Sequence, residues 1–228
     1  MNRFSQLLRI RRPIYALRIL IETDLFDWKT GCHTAEVENS TASACSQGDD
    51  NLDSVPHMAV WTSVIRRTLN LLENHLQNSN EDKECINKFI FLDLGSGLGK
   101  ACLITRSEFS HLFQDIIGIE ISSRLVNIAR KNSYTMFGDY GNFYEGNVID
   151  FPFLNLKNQK VVVFMYNPFG ERTIQRVLGL LSEIEDLIVI YVNPIHEKVF
   201  LHSNYIRICT NLGKTAAECF SILSKSIH

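Results

Sequence analysis

Residues 89–100 read F-I-F-L-D-L-G-S-G-L-G-K. Four apolar residues, Phe89, Ile90, Phe91 and Leu92, make a run short enough for one buried strand, and Asp93 stands at its end. Gly95, Gly97 and Gly99 follow in G-x-G-x-G spacing around Ser96. Beyond Lys100 the pattern turns helical, with Leu103, Ile104 and Phe109 on one side and a helix expected to run to about Phe113. Strand, glycine turn and helix N-terminus together form a cradle for a nucleotide-like ligand. Such turns also occur purely for packing, because glycine lets the backbone bend sharply and approach a neighbour closely.

The spacing narrows the ligand. A dinucleotide fingerprint, G-x-G-x-x-G, needs glycine at position 100, where this chain has Lys100. The early third glycine resembles motif I of the class I S-adenosyl-L-methionine-dependent methyltransferases. Their ligand carries an amino-acid end in place of a pyrophosphate, and the resemblance implies that Asp93 and the turn backbone (Gly95, Ser96, Gly97, Gly99) hold it.

Outward from the turn, periodicity alternates between strand and helix. Strands are expected at residues 116–120, 142–148, 161–165 and 187–192, with helices at 122–132 and 172–185 and a short one near 195–201. Ser122 is placed to cap its helix. Two closing strands, 205–209 and 218–223, flank the turn Asn211-Leu212-Gly213 and form a hairpin. The expected fold class is therefore α/β: a Rossmann-like doubly wound sheet, mostly parallel, with an antiparallel C-terminal hairpin and an N-terminal helical extension. A dehydrogenase sheet would stay parallel to its end. The expected division is an extension over 1–58, with a polar loop or lid at about 35–55, and a cofactor domain over 59–228 that opens with a helix at 59–77.

Three further positions have a chemical reading. Glu120 ends the second strand 21 residues past Gly99, where an acid can accept hydrogen bonds from ribose hydroxyls. Gly146-Asn147 stands where methyltransferases often have Gly-Asp near the adenine amine, so the resemblance places Asn147 there. Phe151-Pro152-Phe153 is either an apolar wall beside adenine or a turn into the core.

Tyr166-Asn167-Pro168-Phe169 closes the fourth strand. It resembles, one proline short, the N-P-P-[YF] motif of enzymes that methylate amino or amide nitrogen. The resemblance implies that Asn167 accepts hydrogen bonds from the acceptor nitrogen and that Phe169 packs on the substrate. Fixed acceptors keep a nitrogen lone pair aimed at the methyl carbon. Asn193-Pro194 ends the fifth strand without that reading, so Asn167-Pro168 as a plain strand terminus stays open. Tyr166 and Tyr191 are candidate bases.

The set as a whole resembles a large, mostly uncharacterised group of bacterial class I methyltransferases. Its segments are Phe26-Asp27, Gly31 and Thr34, then residues 93–100, 118–120, 166–169 and 191–194. His33 departs from the usual Asp. The implied function is methyl transfer from S-adenosyl-L-methionine to a nitrogen of a protein side chain or small amine. The alternative is a cofactor-binding module without turnover.

Composition bounds the rest. At 228 residues, 45% hydrophobic, the chain can bury a sizeable core. A net charge of −2 gives no strong nucleic-acid signal. Six scattered cysteines without a C-x-x-C pair suggest reduced thiols, no metal site and a cytoplasmic location. The sequence has no run of 18 apolar residues to span a membrane. Residues 1–21 carry Arg3, Arg9, Arg11, Arg12 and Arg18, no acid, and a helical apolar stripe interrupted at Pro13. A helix packed on the domain, a membrane-surface or partner helix, and an organelle presequence are all open for it. Phe26 and Trp28 either close over a ligand or anchor the extension.

Overall fold

The computed structural model describes residues 13–35, 59–78 and 88–225. The polar loop expected at 35–55 lies almost wholly outside them, as do residues 1–12. In chain order the elements are α1 (Pro13–Thr30), α2 (Thr62–Asn78), β1 (Phe89–Leu94), α3 (Lys100–Glu108), β2 (Phe113–Glu120), α4 (Ser123–Phe137) and β3 (Asn142–Glu145). Then come β4 (Lys160–Tyr166), α5 (Glu171–Leu181), β5 (Asp186–Val192), α6 (Glu197–His202), β6 (Tyr205–Asn211) and β7 (Phe220–Lys225).

The seven strands form one sheet in the order β3-β2-β1-β4-β5-β7-β6. Pairings from β3 through β5 are parallel, while β7 is antiparallel to both β5 and β6. The expected mixed sheet with its terminal hairpin is the one observed. Side chains alternate across it with period two. Phe89 and Phe91 of β1 join Val162, Phe164, Ile188 and Ile190 beneath α2, α3 and α4. Ile90, Leu92 and Leu94 join Val161, Val163, Met165 and Val189 beneath α5 and α6. Both faces are covered, which is why β1, β4 and β5 read as unbroken apolar runs. The covering helices present matching stripes: Val64, Ile65, Leu69 and Leu72 on α2, and Ile174, Val177, Leu178 and Leu181 on α5.

Several boundaries differ from the sequence reading. Helix α3 ends at Glu108 instead of running to about Phe113, because Phe109, which closes it, drops into the core and Phe113 already starts β2. Strand β3 stops at Glu145, where Gly146 turns the chain and Asn147 caps a 3-10 turn, Val148–Asp150. The interruption expected at Pro13 agrees with α1, which begins there, a position where the missing N–H costs nothing. Among the described residues, no helix is long and apolar enough to cross a membrane.

Candidate cofactor and acceptor site

Asp93 is the fifth residue of β1 and shares the face of Phe89 and Phe91, so its carboxylate points beneath α3. There the Cys102 thiol donates to Oδ2 at 3.8 Å. Burial, then the neighbouring Glu120 carboxylate, pushes the Asp93 carboxyl up to about 8, with the Cys102 hydrogen bond opposing the shift. Burial, with Asp93 adding to it, also raises the Cys102 thiol well above its ordinary value. Near neutral pH this pair is therefore held largely uncharged.

The glycine turn is pinned to β2. The amides of Gly95 and Ser96 both donate to the Ile119 carbonyl at 2.9 Å, and the Gly97 amide donates to Glu120 Oε2 at 3.0 Å. Glu120 Oε1 takes the Ser122 amide at 2.9 Å. Gly95 has φ +80°, and a Cβ there would lie 2.7 Å from Pro168 Cβ. That approach sets the glycine turn directly against the loop after β4. Gly99 enters α3 at φ +83° without a side-chain cap. Ser96 Oγ is buried beside Gly118 and makes no hydrogen bond among the described residues.

Beyond β4, Asn167 is buried with φ +39°, a left-handed conformation that asparagine tolerates better than most residues. The Tyr191 hydroxyl, from the neighbouring β5, donates to Asn167 Oδ1 at 3.0 Å and receives the His196 amide at 3.4 Å. Burial pushes the Tyr191 phenol up to about 12, the His196 amide slightly opposing, so at neutral pH it is a donor and no base. Phe169 is half-buried and packs against the core on the α5 and α6 face of the sheet. Asn147 Oδ1 accepts from the Ile149 amide at 3.1 Å, which uses its oxygen for a local cap and leaves the NH2 group as the chemistry it can offer a ligand.

The sequence reading had no role for three residues that hold this region together. Lys100 is buried, with Nζ donating to the Glu22 carbonyl at 2.6 Å and lying 5.6 Å from the Phe26 ring centroid. Burial pulls its ammonium down to about 8, against the attraction of Asp27, Glu22 and Asp24. Glu22 is itself a hub. Its carbonyl also takes Thr62 Oγ1, and its carboxylate accepts the Ser63 amide and hydroxyl at the start of α2. Asn132 on α4 holds the segment after α1 by donating to the carbonyls of His33 and Leu98 and accepting the His33 amide. A polar residue on the buried stripe of α4 was the available signal for Asn132. Asp27 closes the same segment by accepting the Thr34 amide and hydroxyl and the Ala35 amide at 2.6–2.8 Å. Phe26 is a core anchor, whereas Trp28 is exposed.

No protein-family profile matches the chain, and no curated protein does. Solved structures do match. Human methyltransferase 10 domain containing protein superposes with a TM-score of 0.54 at 13% identity, over 94% of this chain and 98% of that one. The fold is the Rossmann-like methyltransferase fold. Magnesium protoporphyrin IX methyltransferase of Synechocystis PCC 6803, solved with bound SAH, gives 0.48 at 12% identity, over 92% of this chain and 98% of that one. The ribosomal protein L11 methylase of Lactobacillus delbrueckii subsp. bulgaricus gives 0.47 at 13% identity, over 71% and 80%. Among the described residues, no group of three or more His, Cys, Asp or Glu could hold a metal ion.

Proposed function

We propose that the protein is an S-adenosyl-L-methionine-dependent methyltransferase acting on a nitrogen of a protein side chain or small amine. One observation supports this reading: the close approach of Gly95 to Pro168, which brings the acid-and-glycine turn next to the Asn167 loop at the carboxyl ends of β1, β2 and β4. The residues suit the cofactor chemically. Asp93, once ionised, offers an anion to the α-ammonium, and the turn backbone before α3 faces the carboxylate end. Glu120, oriented by two backbone amides, stands at the end of β2, where an acid can accept hydrogen bonds from ribose hydroxyls. Asn147 offers its NH2 to a ring nitrogen of adenine. When bound, the cofactor supplies an electrophilic methyl group on a sulfonium.

Asn167 Oδ1 is oriented by the Tyr191 hydroxyl and has a second lone pair for an acceptor N–H, which aims the nitrogen lone pair away from the hydrogen bond. Phe169 flanks the same loop and gives the acceptor an apolar neighbour. Tyr191 positions Asn167 and, staying protonated, takes no proton; the proton from an amine acceptor leaves to solvent. Residues 1–58 act in this reading as an extension that shapes access, and 59–228 as the cofactor domain. The bacterial group named above, with its Y-N-P-F segment, is the expected kin.

A second reading, a cofactor-binding module without turnover, draws on the Asn167 oxygen already holding one partner. Calorimetric titration with S-adenosyl-L-methionine, S-adenosylhomocysteine and NADH tests the cofactor, with saturable binding expected for the first two alone. Glu120→Ala should weaken that binding. Asn167→Ala should spare it and reduce methylation across a panel of amines and proteins. The reverse pattern would sink the role assignment, and binding without turnover on any acceptor would favour the second reading.

A further inference from the structure

A second cleft lies on the α3 and α4 face of the sheet, at the opposite end of the strands from the glycine turn. It runs between α3 and the second half of α4, over the first residues of β2 and β3, and measures about 360 Å³. Leu103, Phe113, Ile116 and Phe143 give it apolar walls, and Cys102 reaches it from α3. A volume of that order accommodates a one- or two-ring molecule. One polar group inside has no work in the fold. Ser133 on α4 is 1% exposed and lines the cleft, and its hydroxyl makes no hydrogen bond among the described residues. The hydroxyl faces Gly141 on the cleft wall, where an added Cβ would lie 2.7 Å from Ser133 Oγ. Hydroxyls buried to this degree ordinarily have a partner.

We propose that this cleft binds a small uncharged aromatic molecule with one hydrogen-bonding group, of the indole or phenol kind. The walls select an aromatic body, because phenylalanine rings and a sulfur both make favourable contacts with one. The charges at the rim select a neutral one. They are one guanidinium, Arg106, and one carboxylate, Asp115, so a cation and an anion would each meet a like charge. Both are also engaged within the protein. The two Nη atoms of Arg106 donate to Asp139 at 2.6 Å, and Asp115 accepts the Ile116 amide at 2.8 Å and the Asn142 side-chain amide at 3.2 Å. Ser133 Oγ is left to hold the single polar atom of the ligand, and a hydroxyl can donate to it or accept from it. The cleft stands at the amino ends of β2 and β3, apart from the crevice at the carboxyl ends, and the inference is independent of the methyl-transfer reading.

The test is titration of the full chain with indole and with phenol, followed by amide NMR. Saturable shifts are expected at residues 113–116 and 141–143, with the amides of Gly95, Gly97 and Gly99 unmoved. Cyclohexanol, which keeps the hydroxyl and loses the aromatic ring, should bind more weakly than phenol. Ser133→Ala removes the free hydroxyl and should weaken indole binding about fivefold. Ile116→Phe, at a half-buried position on the cleft wall, should fill the space and abolish saturable binding while the rest of the amide spectrum stays put. If the phenylalanine variant does not fold, Ser133→Ala decides alone. Failure of both indole and phenol to bind overturns the proposal, as does an affinity that the substitutions leave unchanged. Shifts centred on the glycine turn would put indole in the other crevice and overturn it equally.

Discussion

Replacing Asp93 by Asn should remove a pH dependence that the wild-type fold carries in its centre. The Asp93 carboxyl is raised by burial and by Glu120 from 3.8 to about 8. In the folded protein it therefore keeps a proton that the unfolded chain gives up near its ordinary value. Linkage then gives stability that is whole below about pH 4 and falls as pH rises toward 8. At about 1.4 kcal/mol per unit, the three units between the unfolded value and pH 7 amount to roughly 4 kcal/mol, an upper figure because water can reach an ionised group. Asparagine keeps the shape and an oxygen for the Cys102 thiol, but has no proton to lose. Denaturant unfolding from pH 5 to 8 is the assay, read as the slope of stability against pH. The variant should lose a falling component worth a few kcal/mol across that window, whatever its absolute stability. Parallel profiles for the two proteins would refute the buried, neutral Asp93.

Four further substitutions probe the surroundings. Lys100→Met should keep the buried stem and lose the bond to the Glu22 carbonyl, costing about 1–3 kcal/mol and speeding hydrogen exchange in α1 but not in β4; unchanged α1 protection would remove the fastening role. Gly95→Ala meets Pro168 at a positive φ, so it should lose about 1–2 kcal/mol from backbone strain alone and weaken cofactor binding; Gly179→Ala on α5, where a Cβ would meet nothing, should instead gain about 0.5–1 kcal/mol in the same unfolding assay. Tyr191→Phe should leave cofactor affinity nearly unchanged and cut turnover about tenfold, and because the wild-type phenol lies near 12, its rate profile should show no limb from this residue below pH 10.

What could be read from the sequence was local. The acid before the turn, three glycines at two-residue spacing, and an acid closing the next strand are all set by neighbours along the chain. So is the terminal hairpin that turned the sheet antiparallel. The misread end of α3 has a plain cause: apolar residues in a loop imitate a helical stripe. Phe109, Leu112 and Phe113 fit the spacing of α3, yet Phe109 packs as the helix ends and Phe113 opens a strand. Lys100 and Asn132 escaped for a different reason. Their partners are main-chain groups 78 and 99 residues away, and backbone carries no letter in the sequence to point at. Tyr191 was weighed as a base from its place at a strand end. Its hydrogen bond to Asn167, 24 residues away along the chain, is a contact that the sequence does not spell out.

The order of the last three strands has a consequence for synthesis. Strand β6 is made before β7 but lies outside it, at the edge of the sheet, and every sheet partner of β6 is on β7. As the chain leaves the ribosome, β6 must therefore wait unpaired, and β5 keeps an open edge, until residues 220–225 arrive to slide between them. Strand insertion of this kind closes a long-range contact late and leaves two strand edges exposed in the interval.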